Sequence, residues 1–202
     1  MKKVRLPRSV ILVAVLYLVA ATSAAITLQN WDFLKTYIPF FIAIAAFIAL
    51  MHRRVHFSMA LLWSLTLWGA LHLAGGLVRI PETWDSEGEQ TILYSWWVIG
   101  SWLKYDQVVQ AFGFGTCTWL IWEALRASIQ ARLGRKLYPS MGMIFLCVFA
   151  GMGLGALTEI VGYLADLNLA QLDTSRYLDT CKDLLANLVG CLFVGVLILF
   201  RG

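Results

Sequence analysis

His72, Asp106, Glu159, Asp179 and Asp183 are the side chains in this sequence whose types could do chemistry together. Each stands near the end of a long apolar run, and an ionisable group inside a membrane costs a few kcal/mol unless it faces a protein interior or a wet cavity. Carboxylates with an imidazole could hold a divalent metal ion. They could instead divide into acid and base, with Asp106, Glu159 and Asp179 as catalytic candidates whose pKa values burial and like-charge repulsion would separate. Helical spacing favours grouping. Asp179, Asp183 and Asn187 fall on one face at i, i+4 and i+8, and Asp106 shares a face with Gln110 at i and i+4. Gly151, Gly155 and Glu159 also share a face, so a small-residue contact surface leads up to a carboxylate. A plainer role is open for the same groups: Asp106, Asp179 and Asp183 would cap helix N-termini, with Lys104, Arg176 and Lys182 as ion partners.

Other polar positions are weaker candidates. His52 and His56 flank Arg53 and Arg54 and read as a solvated turn beside anionic lipid. Trp96, Trp97 and Trp102 read as interfacial anchors, with stacking on a substrate the alternative for Trp96 or Trp97. Cys117, Cys147 and Cys191 lie within apolar runs and pack as small apolar residues, while Cys181 stands apart and no disulfide pair is suggested. The chain has no CxxC, HExxH, P-loop or GxSxG motif.

What must position these residues is a membrane-embedded bundle. The chain has 202 residues, 60% hydrophobic and 14% charged, and its mean hydropathy of +0.73 is far above that of a soluble domain. A disordered chain and a disulfide-stapled module are excluded, and so is a nucleic-acid partner, because the net charge of +4 is spread over loops between apolar runs. Six runs are long enough to span: about 9–28, 36–51, 57–78, 107–122, 137–158 and 184–200. The period of two that a barrel requires is missing, so the expected fold is all-α, a polytopic transmembrane helical bundle of one domain. Pro39 and Pro139 are expected in the first turns of the second and fifth helices, and Pro81 in a loop. Residues 91–103, uncharged but too short to cross, are expected as an interfacial or re-entrant helix.

Lysines and arginines set the orientation. Eleven of the sixteen fall at the amino terminus, in the second and fourth loops and at Arg201, and five on the opposite side. With six spans, both termini are expected in the cytoplasm and the chain in the inner (cytoplasmic) membrane. Eleven of the twelve carboxylates then lie on the extracytoplasmic side, with Glu123 the exception.

The segments LHLAGG (71–76), KYDQVVQAFGFG (104–115), EALR (123–126), LTEIVGY (157–163) and DTCKDLLANLVG (179–190) together resemble the successive motifs of the YjdF-like inner-membrane proteins. That family is similar in outline to the VanZ-like proteins. The resemblance runs over about 71–195 and implies a membrane fold and location more than an activity. By it, His72, Tyr105, Asp106, Glu159, Asp179, Lys182 and Asp183 match the family's polar positions. Gln110 stands where the family has a histidine, Ala156 where it has a glutamate, and Arg176 where it has an aspartate. The resemblance thus implies an altered metal site, with the Arg176 guanidinium supplying fixed positive charge among the carboxylates.

Three readings follow. The first is a site at the extracytoplasmic face that binds or modifies a lipid, a polyprenyl-linked carrier or an envelope precursor. Its candidate binding residues are His72, Tyr105, Gln110, Arg176, Lys182, Asp183 and Asn187, with a divalent metal ion as the candidate cofactor. The second is an ion- or solute-binding protein, which would transport as a homo-oligomer, since six spans without inverted repeats are few for a transporter. The third is a non-catalytic membrane component whose polar cluster locks helices together.

Overall fold

The computed structural model describes residues 5–87, 91–166 and 174–201, without the side chains of 162–166 and 174–177. Six α-helices lie among the described residues: α1 (Arg8–Thr27), α2 (Trp31–Val55), α3 (Met59–Leu77), α4 (Tyr105–Leu133), α5 (Met141–Asp166) and α6 (Thr174–Arg201). All but α4 are long and apolar enough to cross a membrane. α4 is less apolar because Gln107, Gln110 and Glu123 interrupt it, and Gln107 and Glu123 are buried in the protein instead of facing lipid. Its 29 residues reach about 43 Å at 1.5 Å per residue, enough for the sixth span. Large apolar side chains cover the exposed faces, Phe149 and Leu146 on α5 and Phe193 and Phe200 on α6 among them. Such surfaces are at home only in hydrocarbon.

The chain divides into two compact units, residues 1–106 and 107–202. In the first, Ala21 and Ala25 of α1, Phe33, Ile38 and Phe41 of α2 and Leu73 and Leu77 of α3 form the core. In the second, Phe114 and Trp122 of α4, Ile144, Cys147 and Val148 of α5, and Cys191 and Ile198 of α6 do so. All four cysteines are free thiols, with Cys147 and Cys191 buried and Cys181 exposed.

Helix ends depart from the expected bounds, and local caps explain why. α2 starts at Trp31 because the Asn30 side chain accepts from the Phe33 N–H at 3.1 Å. Pro39 therefore lies inside the helix, not in its first turn. Pro139 lies before α5, whose start is set by Ser140, with Oγ accepting from Met143 N and the carbonyl from Ile144 N. α6 begins at Thr174, so Asp179 and Asp183 sit in its second and third turns. They are not N-caps, which removes the simplest structural role proposed for them. Asp106 is the second residue of α4, where a carboxylate favours the positive end of the helix dipole. Asn30→Ala should lower stability by about 1 kcal/mol, readable as a small drop in the melting temperature of detergent-purified protein.

Residues 91–103 are not a helix. One 3-10 turn (Leu93–Ser95) is followed by strands β1 (Trp97–Ile99) and β2 (Leu103–Lys104), paired antiparallel. Gly100, with φ +47°, makes the reversal possible. His52 also departs from expectation. It is buried in the last turn of α2 with its ring 6.2 Å from Phe57, and His56 ends the helix at φ +59°.

Candidate functional site

The expected site residues fall into both units. His72, Tyr105 and Asp106 belong to the first, and Gln110, Glu159, Asp179, Lys182, Asp183 and Asn187 to the second. Arg176 lies on α6 with its side chain outside the described residues.

In the first unit, α3 carries the glycine pair Gly75–Gly76 one turn beyond His72. The missing side chains leave a notch, and Tyr94 from the 3-10 turn fills it. A Cβ on Gly75 would collide with the Tyr94 ring, and one on Gly76 would stand 2.8 Å from Phe33. From that seat the Tyr94 hydroxyl donates to the His72 carbonyl at 2.7 Å. Tyr105 does the same one residue earlier, its hydroxyl donating to the Leu71 carbonyl at 3.1 Å. Burial pushes the Tyr94 hydroxyl far above its ordinary pKa, and the nearby charge of Asp106 pushes it the same way. Tyr94 thus stays a proton donor at any physiological pH.

The His72 imidazole is enclosed by aromatic rings. Phe41 is 5.2 Å away, Tyr94 5.3 Å and edge-on, Trp68 5.6 Å and Tyr37 6.0 Å. Phe33, Tyr37 and Phe41 reach this side because their spacing of four places them on one face of α2. A ring packed this way is held in one orientation. Lys104 Nζ is 2.5 Å from Glu87 and 5.7 Å from the centre of the Trp97 ring. Trp96 packs on Trp84 at 4.6 Å, and Trp97 opens β1.

In the second unit, glycines set the helix levels. A Cβ on Gly190 would collide with the Ala111 carbonyl, and one on Gly115 would stand 2.8 Å from the Gly190 carbonyl and 2.9 Å from Val194. α4 and α6 therefore run in the same direction at van der Waals contact. α5 runs opposite, because Gly151 faces Cys191, Gly155 faces Asn187 and Gly195 faces Val148 and Ile144. Counting one turn from these contacts puts Gln110, Gly155 and Asn187 at one level, with Gln107, Glu159 and Asp183 a further turn toward the start of α6. The level below them is Phe114, Gly151, Thr118 and Cys191, where Cys191 Sγ donates to the Phe114 carbonyl at 3.4 Å.

Burial increases down α6. Lys182 is exposed and Asp179 half-buried, whereas Asp183 is 8% exposed and Asn187 0%. The Asn187 carboxamide rests on bare α5 backbone, its Nδ2 2.6 Å from where a Gly155 Cβ would stand. Neither Nδ2 nor Oδ1 has a hydrogen-bond partner among the described residues. Asp183 Oδ1 and Gln110 Oε1 are likewise shut off from solvent. Among the described residues, no group of three or more His, Cys, Asp or Glu side chains is placed to hold a metal ion.

Tyr94, Tyr37, Trp68 and Gln107 were not among the residues the sequence singled out, whereas Gly155 was, as part of the small-residue face of α5. The α2 aromatic spacing and the paired glycines were visible signals. That Tyr94 answers the glycines was not. A sequence profile described as predicted membrane protein (DUF2238) matches residues 6–202. No curated protein and no solved structure matches the chain.

Proposed function

The chain belongs to the family of predicted membrane proteins DUF2238, and on that premise we propose that it binds the polar head group of a lipid or polyprenyl-linked envelope precursor. The site is the polar face of the second unit, entered past Asp179 and Lys182 and lined by Glu159, Asp183, Gln110 and Asn187. The motif resemblance to YjdF-like and VanZ-like proteins supports an inner-membrane location, and the loop lysines and arginines support cytoplasmic termini with this site facing outward.

One observation carries the reading. Asp183 and Asn187 are buried one turn apart on α6, and helix N-capping, the usual structural reason for an aspartate near a helix start, does not apply to Asp183. Of the two, Asn187 has no hydrogen-bond partner for either polar atom among the described residues, and since buried polar groups are matched in nearly all proteins, a ligand is a partner of the right kind. The exposed Lys182 and the Arg176 position on the same helix would meet a phosphate at the entrance.

Lipids that co-purify with the protein in nanodiscs test this. Asp183→Asn should remove a specific lipid class that the wild type retains, with the melting temperature within a few degrees of wild type. An unchanged lipid profile would overturn the proposal. So would equal collapse of folded yield in Asp183→Asn and Asp183→Leu, since a purely structural buried pair loses about 3–5 kcal/mol when broken.

A further inference from the structure

We propose that the groove between α1 and α2 holds one glycerophospholipid with a zwitterionic head group, in the leaflet at the α1–α2 turn. The site belongs to the first unit and does not rest on the preceding reading. The three-residue connection 28–30 makes α1 and α2 antiparallel neighbours. Between them Val15, Leu18 and Val19 of α1 and Ile38 and Ile42 of α2 line a groove of about 300 Å³, with Ser23 at the end nearer the turn. From Ser23 to Val15 is about 12 Å along the helix, close to the depth of one leaflet of hydrocarbon. A helix about 10 Å across would need about three times the groove's volume over that length, so a single hydrocarbon chain is the better fit. Val15, Val19 and Ile42 are exposed, which makes the groove continuous with the lipid-facing surface of both helices.

The polar groups at the mouth of the groove select the head. Thr22 commits its hydroxyl to the Leu18 carbonyl at 2.8 Å. Ser23 is exposed, and its hydroxyl donates to none of the described residues. Such a hydroxyl in lipid calls for an acceptor, which the ester carbonyl of a glycerolipid supplies and a polyprenyl chain does not. Ser23 stands four residues before the end of α1 and Lys35 four residues after the start of α2, so the two lie at one depth. Lys35 is the last charged residue before the uncharged run 36–51, and that depth is therefore the edge of the hydrocarbon, where ester and phosphate groups lie. Lys35 precedes Ile38 by three residues and Ile42 by seven, which places it on the groove face of α2, where its exposed ammonium meets the phosphate. Asp32, about one turn further out, meets the positive end of a zwitterionic head group and disfavours a net-anionic one. Among the described residues Asp32 and Lys35 form no ion pair with each other, which leaves both charges for the lipid.

Native mass spectrometry of the detergent-purified protein, titrated with phosphatidylethanolamine, should show one adduct per chain that forms more tightly than those that follow it. Phosphatidylglycerol should bind there about tenfold more weakly. Lys35→Gln should weaken the adduct about tenfold, and Val19→Trp, which fills the groove, should abolish it. Leu12→Trp, about as exposed on α1 but outside the groove, is the control and should bind as wild type. Both tryptophans face lipid, so both variants should melt within a few degrees of wild type; should Val19→Trp fail to fold, Lys35→Gln decides alone. Undiminished binding by either groove variant overturns the proposal, and so does phosphatidylglycerol binding as tightly as phosphatidylethanolamine. A dimer that Val19→Trp disrupts, with no lipid adduct, gives the groove to a second copy and overturns it as well. An adduct lost in Asp183→Asn but kept in Val19→Trp assigns the lipid to the second unit, which overturns this site while the preceding reading stands. An adduct lost in Val19→Trp and kept in Asp183→Asn supports this site whatever becomes of the other.

Discussion

Gly190→Leu is expected to abolish folding of the second unit. A Cβ at this position would collide with the Ala111 carbonyl, with the Ala111 carbonyl carbon at 2.6 Å and its Cα at 2.8 Å. The obstacle is helix backbone, which cannot rotate aside as a flexible side chain would. α4 and α6 would have to separate, and that separation opens the level of Phe114 and Cys191, where the core of this unit is packed. Overpacking usually costs about 1–3 kcal/mol, and the rigid partner places this case at or above the top of that range. Size-exclusion profiles of detergent extracts should show loss of the monodisperse peak. Gly142→Leu on α5, where a Cβ meets nothing within 4 Å, is the matched control and should leave the peak intact. Equal behaviour of the two variants would refute the close α4–α6 approach and, with it, the levels on which the candidate site depends.

The second large effect is expected from Tyr94→Ala. Tyr94 is the plug in the Gly75–Gly76 notch, the edge-on neighbour of His72 and a hydrogen-bond donor to the His72 carbonyl. Removing a packed aromatic ring typically costs about 3–5 kcal/mol. Tyr94→Phe keeps the ring and loses the one hydrogen bond, about 1 kcal/mol. The two variants should therefore be separated by a wide gap in melting temperature. A small, equal loss in both would mean that the 3-10 turn merely covers the end of α3 without bracing it. Filling the notch from the other side, Gly75→Ala, should mimic Tyr94→Ala by expelling the ring.

Much of the architecture was legible in one dimension. Apolar runs of membrane length follow from composition alone, because hydrocarbon demands about twenty apolar residues whatever the neighbours are. α1, α3 and the apolar parts of α5 and α6 lie close to the expected spans for that reason. The ends were not legible in the same way. Pro39 misplaced the start of α2 because the Asn30 side chain caps the helix eight residues earlier than proline preference implies. The expected helix at 91–103 became a hairpin because Gly100 supplies a left-handed turn and Lys104 is held to Glu87 and Trp97. Asn30, Glu87 and Lys104 lie outside the runs they shape, whereas Gly100 lies within its own.

The candidate site divides along the same line. By itself the sequence determined which polar residues stand among apolar ones and which share a helix face, since i, i+4 and i+8 are properties of one helix. It therefore singled out Asp179, Asp183 and Asn187 before any packing was considered. Only the tertiary structure decided that Asp183 and Asn187 are enclosed while Lys182 is exposed, and that His72 sits among Tyr37, Phe41, Trp68 and Tyr94. The physical reason is that enclosure depends on how closely two helices approach. That distance is set by pairs remote in sequence, Gly190 on Ala111 and Gly155 on Asn187, which no periodicity within a single helix encodes.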